Sequence, residues 1–264
     1  MLNDNTFLDI KKWFSDYVKT FAASDREMQG NFDLKEQHTY RVCEEMAGIA
    51  STLLIDKDLR ILAQIVALLH DVGRFEQYAR YRTFVDKKSE NHAELGLKII
   101  EKYSVLNGLA ADYQQLVKCA VCNHNRAEIP EEIDGAALML SRLIRDADKL
   151  DIWKIVCEYY NKNGGGRNKA IELDLPDEST ISEPVFKDVL AGRIVRNTEL
   201  KSLNDFKLLQ LAWVFDLNFG YSLEQFRNRG YLQVIAGKLT DREKSEQIVF
   251  EINKFVERRL RISG

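Results

Sequence analysis

Residues 60–73 carry the pattern that decides the fold, and they read RILAQIVALLHDVG. The apolar run from Ile61 to Leu69 is interrupted by a single glutamine and predicts a buried helix. It is far shorter than the roughly 20 apolar residues that a membrane-spanning helix needs. We expect Gly73 to end the helix, because glycine is the commonest residue just past a helix terminus.

The two residues that close this run, His70 and Asp71, are polar at the end of the most hydrophobic helix. A buried aspartate without a partner pays a large desolvation penalty, and at the carboxyl end of a helix it also opposes the helix dipole. An ion pair between Asp71 and Arg74 would offset these costs but leaves His70 unexplained. A bound cation would account for both residues.

Outward from this stretch, apolar residues recur at helical rather than alternating spacing. The first 129 residues contain no proline, so long helices are free to form there. Further helices are predicted over three ranges, which are Leu8 to Phe21, Asp112 to Asn123 and Gly135 to Tyr160. Two more are predicted from their starts, one at a capping box at Asp33-Leu34-Lys35-Glu36 and one after a cap at Ser89-Glu90-Asn91. The pattern therefore predicts an all-α fold, a helical bundle with further helices at its carboxyl end.

Three regions follow from composition along the chain. Residues 1–160 are predicted to form the helical core. Residues 161–184 are polar, contain a Gly-Gly-Gly run and two of the three prolines, and are predicted to be an exposed loop or insertion. Residues 185–264 return to helical spacing and are expected to pack on the core as an extension. These last helices could form a lid, a dimer surface or more core, so a homodimer stays open.

The composition of the 264-residue chain excludes several classes of protein. Hydrophobic residues make up 45% and charged residues 30%, which is typical of a globular protein. The net charge of −3 and a pI of 5.9 argue against a nucleic-acid polymer as partner, because nucleic-acid-binding domains typically have a pI above about 9. Four cysteines form no disulfide framework, and the first residues lack the features of a signal peptide. We therefore expect a cytoplasmic protein without membrane contacts.

The chain has only four histidines, and each shares a helix face with apolar residues. They are His38, His70, His92 and His124. A buried imidazole needs partners for both ring nitrogens, and four separately satisfied core histidines would supply them. That explanation is strained when no histidine is left for the surface. A shared metal centre provides partners for all four at once, since imidazole and carboxylate ligate Zn, Mn, Fe and Ni.

An acidic cluster at residues 145–151 supplies further candidate ligands. Its flanks are apolar, so at least one of its aspartates is expected to turn inward. The helical wheel does not separate Asp146 from Asp148. We expect Asp151 to be a solvated surface residue.

The ordered set of His38, His70-Asp71 and a late aspartate at Asp148 resembles the HD superfamily of metal-dependent phosphohydrolases. The likeness covers residues 33–160, and His70-Asp71-Val72-Gly73 is similar to the superfamily's HD-[IV]-G motif. The resemblance implies a compact helical bundle in which these four residues bind one divalent metal. It favours Asp148 over Asp146 because the last ligand of the family typically follows a small residue and precedes a basic or polar one.

The extra histidines occupy the places that the resemblance assigns to a second metal in binuclear members. His92 and His124 would hold that ion, with Asp71 bridging the two. The expected cofactor is therefore two divalent ions per chain, with Mn, Fe, Zn, Ni, Co and Mg all open.

The implied reaction is hydrolysis of a small phosphoester, which includes nucleotides, by a metal-activated hydroxide that Asp71 orients. Lys149 or Glu76 is expected to assist the leaving group. Arg74 and Arg82 are expected to grip phosphate, with Tyr81 or Phe84 stacking on a ring of the substrate.

Two other functions stay open on the same scaffold. A di-iron oxygenase would use the same ligands but consume oxygen. A non-catalytic ligand-sensing module would keep the metal site only for structure, although the presence of all six candidate ligands argues against a degenerate site.

Overall fold

The computed structural model describes residues 2, 4–161, 172 and 175–263. These residues are predominantly helical and include no β-strand, which confirms the all-α prediction. The α-helices are α1 (Asp4–Lys19), α2 (Arg26–Ser51), α3 (Lys57–Leu69), α4 (Gly73–Tyr81), α5 (His92–Lys102), α6 (Ala111–Asn123), α7 (Gly135–Asn161), α8 (Glu183–Leu190), α9 (Leu203–Ala212), α10 (Gly220–Asn228), α11 (Tyr231–Ala236) and α12 (Arg242–Ser263), with short 3-10 helices at Asp86–Lys88 and Trp213–Asp216. Within this described part of the chain, no helix combines the length and apolar character required to cross a bilayer.

Helix α3 lies at the centre of the first of two compact units, Met1–Asp148. From Ile61 to Leu69 every residue except Gln64 is buried. Helices α1, α2 and α6 all pack against α3, while α4 packs on α2 and α5. The apolar run that dominates the sequence is therefore the core of this unit, as its composition predicts.

Two helix starts show how local polar residues set the boundaries. Asn91 caps α5 by accepting hydrogen bonds from the backbone N–H groups of Ala93 and Glu94, as predicted. The predicted start of the second helix at Asp33 is wrong, because Asp25 already caps α2 through the N–H of Met28. The carboxylate of Asp33 instead accepts a hydrogen bond from the side chain of Gln29, one turn earlier in the same helix.

The segment after α3 also differs from the prediction. Gly73 does not end α3, which stops at Leu69; it begins α4. A Cβ atom at Gly73 would lie 2.1 Å from the carbonyl oxygen of His92 and 2.7 Å from the backbone nitrogen of Gly96. Glycine is needed there because the backbones of α4 and α5 approach each other closely. Residues 73–81 form this helix.

The second unit comprises residues from Lys149 onward. All residues of its helix α9 are buried, and α9 packs on α8 and α11. Trp153, in the part of α7 that belongs to this unit, donates a hydrogen bond from Nε1 to the carbonyl oxygen of Gln210 at 2.8 Å. Its ring centroid lies 4.6 Å from that of Phe226. An apolar core thus exists within this unit too.

The predicted loop at 161–184 lies partly outside the described residues. In its described part, residues 175–182 form no helix or strand, and residues 176–180 are exposed. The limits predicted for the three regions, and the packing of the last helices on the core, stay predictions.

Candidate metal centre

Five segments of the first unit bring their polar side chains to one buried place. His38 lies in α2, His70 and Asp71 directly follow α3, and His92 is the first residue of α5. Two more groups complete the set: His124, at the carboxyl end of α6, and Asp148, in α7. The four histidines are 0–6% exposed, which confirms the prediction that all of them point inward.

The first group of ligand atoms surrounds one oxygen of Asp71. His38 Nε2 lies 3.5 Å from Asp71 Oδ2 and 3.2 Å from Asp148 Oδ1. His70 Nε2 lies 3.8 Å from each of the same two oxygens. The two imidazole nitrogens are 3.4 Å apart. Two imidazoles and two carboxylates therefore converge as one candidate set of ligands.

The second group uses the other oxygen of the same carboxylate. Asp71 Oδ1 lies 3.3 Å from His92 Nε2 and 3.7 Å from His124 Nε2. These two nitrogens are 2.9 Å apart. Asp71 is thus shared by two groups, and in each of them three ligand atoms lie within 4.8 Å of one another.

The protonation of the rings suits a cation. The Nδ1 atoms of His70 and His124 lie 2.8 Å and 2.7 Å from the carbonyl oxygens of Ala67 and Val121. A carbonyl oxygen only accepts hydrogen bonds, so Nδ1 carries the proton and the Nε2 lone pair faces the cluster. Each of these two Nε2 atoms lies 2.9–3.8 Å from a neighbouring imidazole nitrogen and from carboxylate oxygens. At such distances the lone pairs repel each other unless a positive charge lies between them. The donor set therefore fits divalent metal ions, which neutral imidazole and carboxylate ligate.

Burial keeps two of these imidazoles neutral. It lowers the pKa of His70 to about 4, although the carboxylates of Asp71 and Asp148 act in the opposite direction. Burial likewise lowers the pKa of His92 to about 3, and the positive charge of Arg74 adds to that shift. Both rings are uncharged at neutral pH, which is the form that binds a metal.

The carboxylates are ionised in spite of their burial. Desolvation alone would raise the pKa of Asp71, but the neighbouring positive charges, above all Lys35, hold it well below the usual range for an aspartate. Burial acts in the same upward direction on Asp148, but its hydrogen bond with His38 and the electrostatic effects of His38 and His70 together outweigh burial and lower the pKa. The site therefore presents negative charge to a cation.

Two residues beside the cluster were missed by the sequence analysis. Lys35 Nζ lies 2.8 Å from Asp71 Oδ2, and its side chain is 18% exposed. Lys35 precedes His38 by three residues on α2, and this spacing could have indicated a shared face. Arg145 is buried, and its guanidinium donates to the carbonyl oxygens of Arg126 and Ala127 just after α6. It thereby holds the segment that follows His124.

A third missed residue, Asp86, accepts a hydrogen bond from His92 Nδ1 at 2.8 Å. Desolvation raises the pKa of Asp86, but the hydrogen bond from His92 and the charge of Arg74 bring it down to about 2. Gln77 and Asn125 also donate to this carboxylate. Nothing in the periodicity of the sequence marks Asp86, because it lies in a short 3-10 helix between α4 and α5.

The predicted substrate-binding residues differ in where they lie. Arg74 is close to the cluster, with Nε 3.4 Å from Asp71 Oδ1, and it is also bound to Asp86. Tyr81 is 44% exposed, and its hydroxyl donates to Glu90. Arg82 is exposed just after α4. The substrate contacts of Tyr81 and Arg82 stay predictions.

The other residues predicted for the reaction are bound within the protein. The ring of Phe84 stacks on Tyr78, with centroids 4.7 Å apart. Glu76 forms an ion pair with Arg80, one turn later in α4. Phe84 and Glu76 are thus each in contact with a neighbouring side chain of the same unit.

The acidic cluster in α7 is more deeply buried than predicted. Asp148 lies beside His38 and His70, as the resemblance implies. Asp146 and Asp151 are both 0% exposed, so the expectation that Asp151 is solvated is wrong. Lys149, the predicted proton donor, forms an ion pair with Asp216 at 2.7 Å.

Comparison with known proteins agrees with the chemistry of the cluster. The family model of the HD domain matches residues 36–153, a segment that contains all six candidate ligands. No curated protein and no solved structure matches the chain significantly. HD domains form a superfamily of metal-dependent hydrolases, and the two histidine–aspartate groups could bind divalent metals. Residues 36–153 of this chain are an HD domain.

Proposed function

We propose that this protein is a metal-dependent phosphohydrolase that cleaves a small phosphoester and holds two divalent ions. The observation that carries the proposal is the position of Asp71, whose two oxygens face two different histidine groups. A carboxylate in that position is suited to bridging two ions. The HD domain match supports hydrolysis as the reaction class.

The residues of the cluster form two sets of ligands, one for each ion. His38, His70, Asp148 and Asp71 Oδ2 would hold one ion, and His92, His124 and Asp71 Oδ1 the other. Divalent ions bound there supply Lewis acidity toward a phosphoryl oxygen and lower the pKa of water. Asp71 would orient the attacking water, since both of its oxygens lie inside the cluster.

Positive side chains around Asp71 favour an anionic substrate. Lys35 Nζ and Arg74 Nε lie 2.8 Å and 3.4 Å from different oxygens of Asp71. Both cations also lie over the ring of Phe84, at 5.4 Å and 6.0 Å from its centroid. Lys35, which is partly exposed, would bind a phosphate oxygen, and Arg74 would bind through the part of its guanidinium that faces Asp71. Lys149 stays a candidate for assisting the leaving group.

The test combines metal analysis of the purified protein with hydrolysis of a panel of phosphoesters. We expect two divalent ions per chain and release of phosphate or of a phosphomonoester. His70→Ala and Asp71→Ala should lose both metal and activity. A suitable control is Asp58→Asn, because Asp58 lies in α3, the helix that His70 directly follows, but accepts hydrogen bonds from Tyr113 and Leu2.

Two results would contradict the proposal. Unchanged metal content in His70→Ala would remove the ligand assignment. Substrate-dependent oxygen consumption by the iron-loaded protein, without release of phosphate, would replace phosphoester hydrolysis by the oxygenase alternative.

A further inference from the structure

Asp86 is the carboxylate through which the protein holds His92 from outside the cluster. Its Oδ2 and Oδ1 atoms lie 2.8 Å and 3.0 Å from His92 Nδ1. The Nδ1–H group of His92 therefore donates to a carboxylate, and its Nε2 atom is directed toward Asp71, 3.3 Å away. The link runs from the 3-10 helix after α4 to the first residue of α5.

The carboxylate of Asp86 is itself fixed by donors from two other segments. Arg74 Nη1 and Gln77 Nε2, both in α4, lie 3.0 Å and 2.9 Å from Oδ1. Asn125, which follows α6, donates to Oδ2 at 3.4 Å. Gln77 is fully buried and donates as well to Ser89 and to the backbone of Glu90. Asp86 therefore has little freedom to move away from the ring.

Arg74 connects Asp86 to the shared carboxylate. Its Nη1 atom binds Asp86, while its Nε atom lies 3.4 Å from Asp71 Oδ1, the oxygen that faces His92 and His124. The guanidinium thus spans the outer carboxylate and the inner one.

The other two rings with a defined Nδ1 partner are supported differently. His70 and His124 donate from Nδ1 to backbone carbonyl oxygens, which carry no full charge. A carboxylate partner makes an imidazole a more basic ligand and fixes the orientation of its ring. Of these three rings, His92 is thus the one whose strength as a ligand depends on a second, replaceable side chain.

We propose that Asp86 is a positioning residue that holds His92 for metal binding, so that the Asp71–His92–His124 group depends on it and the His38–His70–Asp148 group does not. This inference rests on the proposed function, because it concerns one of the two ions of that site. It goes further in assigning unequal support to the two groups. Loss of Asp86 should weaken the binding of the second ion and leave the binding of the first unchanged.

The first experiment titrates metal-free protein with Co²⁺ alone and follows visible absorption and bound metal. The wild type should bind two ions. Asp86→Asn should bind one ion with unchanged affinity and the second roughly 10–100-fold more weakly. The matched control is Glu101→Gln, which also neutralises one acidic residue but lies on the surface of α5, paired with Lys118. It should behave as the wild type.

The second experiment needs no metal. Long-range ¹H–¹⁵N spectra of the imidazole rings should show His92 of the metal-free wild type protonated at Nδ1. In Asp86→Ala, the His92 signals should shift toward the other tautomer, and those of His124 should shift with them because its Nε2 atom lies 2.9 Å from that of His92. The signals of His70 should stay as in the wild type. A general structural defect would move His70 as well, so this readout separates positioning from folding.

The outcomes for the inference and for the proposed function differ. Two ions in the wild type and two equally bound ions in Asp86→Asn would overturn the role of Asp86 and leave the proposed function intact. Loss of both ions together in the variant would overturn the selective dependence. A wild type that binds no ion would overturn the proposed function, and the tautomer of His92 would still decide whether Asp86 positions that ring.

Discussion

Asp71 combines, in one side chain, the contacts of a metal ligand and those of a structural ion pair. Lys35 holds Oδ2, Arg74 lies near Oδ1, and only 5% of the side chain of Asp71 is exposed. A buried carboxylate is stable only while its charge is compensated. In metal-free protein, Lys35 is therefore a main source of that compensation.

Replacing Lys35 by methionine should destabilise the metal-free protein. The substitution keeps an unbranched side chain but removes the charged donor to Asp71, and a hydrogen bond to a charged group contributes about 1.5–3 kcal/mol. The free energy of unfolding should fall by that amount in urea titrations with EDTA present, followed by circular dichroism.

The control for this substitution is Lys19→Met. Lys19 pairs with Asp16 at nearly the same distance, 2.9 Å, but both side chains are largely exposed. Exposed pairs contribute little because water screens them. Equal stability losses in the two variants would contradict a special role for Lys35.

At the scale of elements, the contact between α4 and α5 sets the position of His92. The two helices meet where Gly73 lies against the backbone of His92 and Gly96. The three atoms nearest to a Cβ added at Gly73 are all backbone atoms. A change in the distance between α4 and α5 would therefore move the candidate ligand His92 without altering its side chain.

Gly73→Ala should therefore disrupt both folding and metal binding. The added Cβ would meet backbone atoms, which cannot rotate away, so α4 and α5 would have to separate. Overpacking of this kind costs about 3 kcal/mol, and we expect a loss of that size in the free energy of unfolding. The metal content should fall below that of the wild type.

A second glycine offers the matched comparison. At Gly30, inside α2, an added Cβ would meet no atom within 4 Å. Gly30→Ala should stabilise the protein by about 0.5–1 kcal/mol, because alanine loses less backbone entropy in a helix. If Gly73→Ala proved as harmless as Gly30→Ala in urea titration, the close approach of α4 and α5 would be wrong.

At the scale of the molecule, the candidate ligands join helices that are far apart in the sequence. His38 and Asp148 are separated by more than a hundred residues, yet their ligand atoms lie 3.2 Å apart. An ion held by both would connect α2 to α7 directly. Metal binding is therefore expected to be linked to the stability of the whole first unit.

Addition of Mn²⁺ to metal-free protein should raise the midpoint of thermal unfolding. A ligand at 100 times its dissociation constant stabilises the native state by about 2.7 kcal/mol per site. Scanning calorimetry with Mn²⁺ and then with excess EDTA measures the shift and its reversal. His70→Ala should lose the shift and Glu101→Gln should keep it; an unchanged midpoint in the wild type would contradict metal binding in the native state.

The helical class, the buried α3 helix and the inward direction of all four histidines could be predicted from the amino-acid sequence alone. Apolar spacing reports which face of a helix turns inward, and this information is local. Likeness to a known family then singled out Asp148 within an acidic cluster where the helical wheel alone left the choice open.

Which side chains surround those ligands could not be predicted, because it depends on how the helices pack. Asp86, Lys35 and Arg145 contact residues on other segments of the chain, and no periodicity relates them to those partners. The tight contact at Gly73 and the burial of Asp151 were missed for the same reason. A helical pattern gives the direction of a side chain, whereas the distance between two side chains depends on how the helices pack.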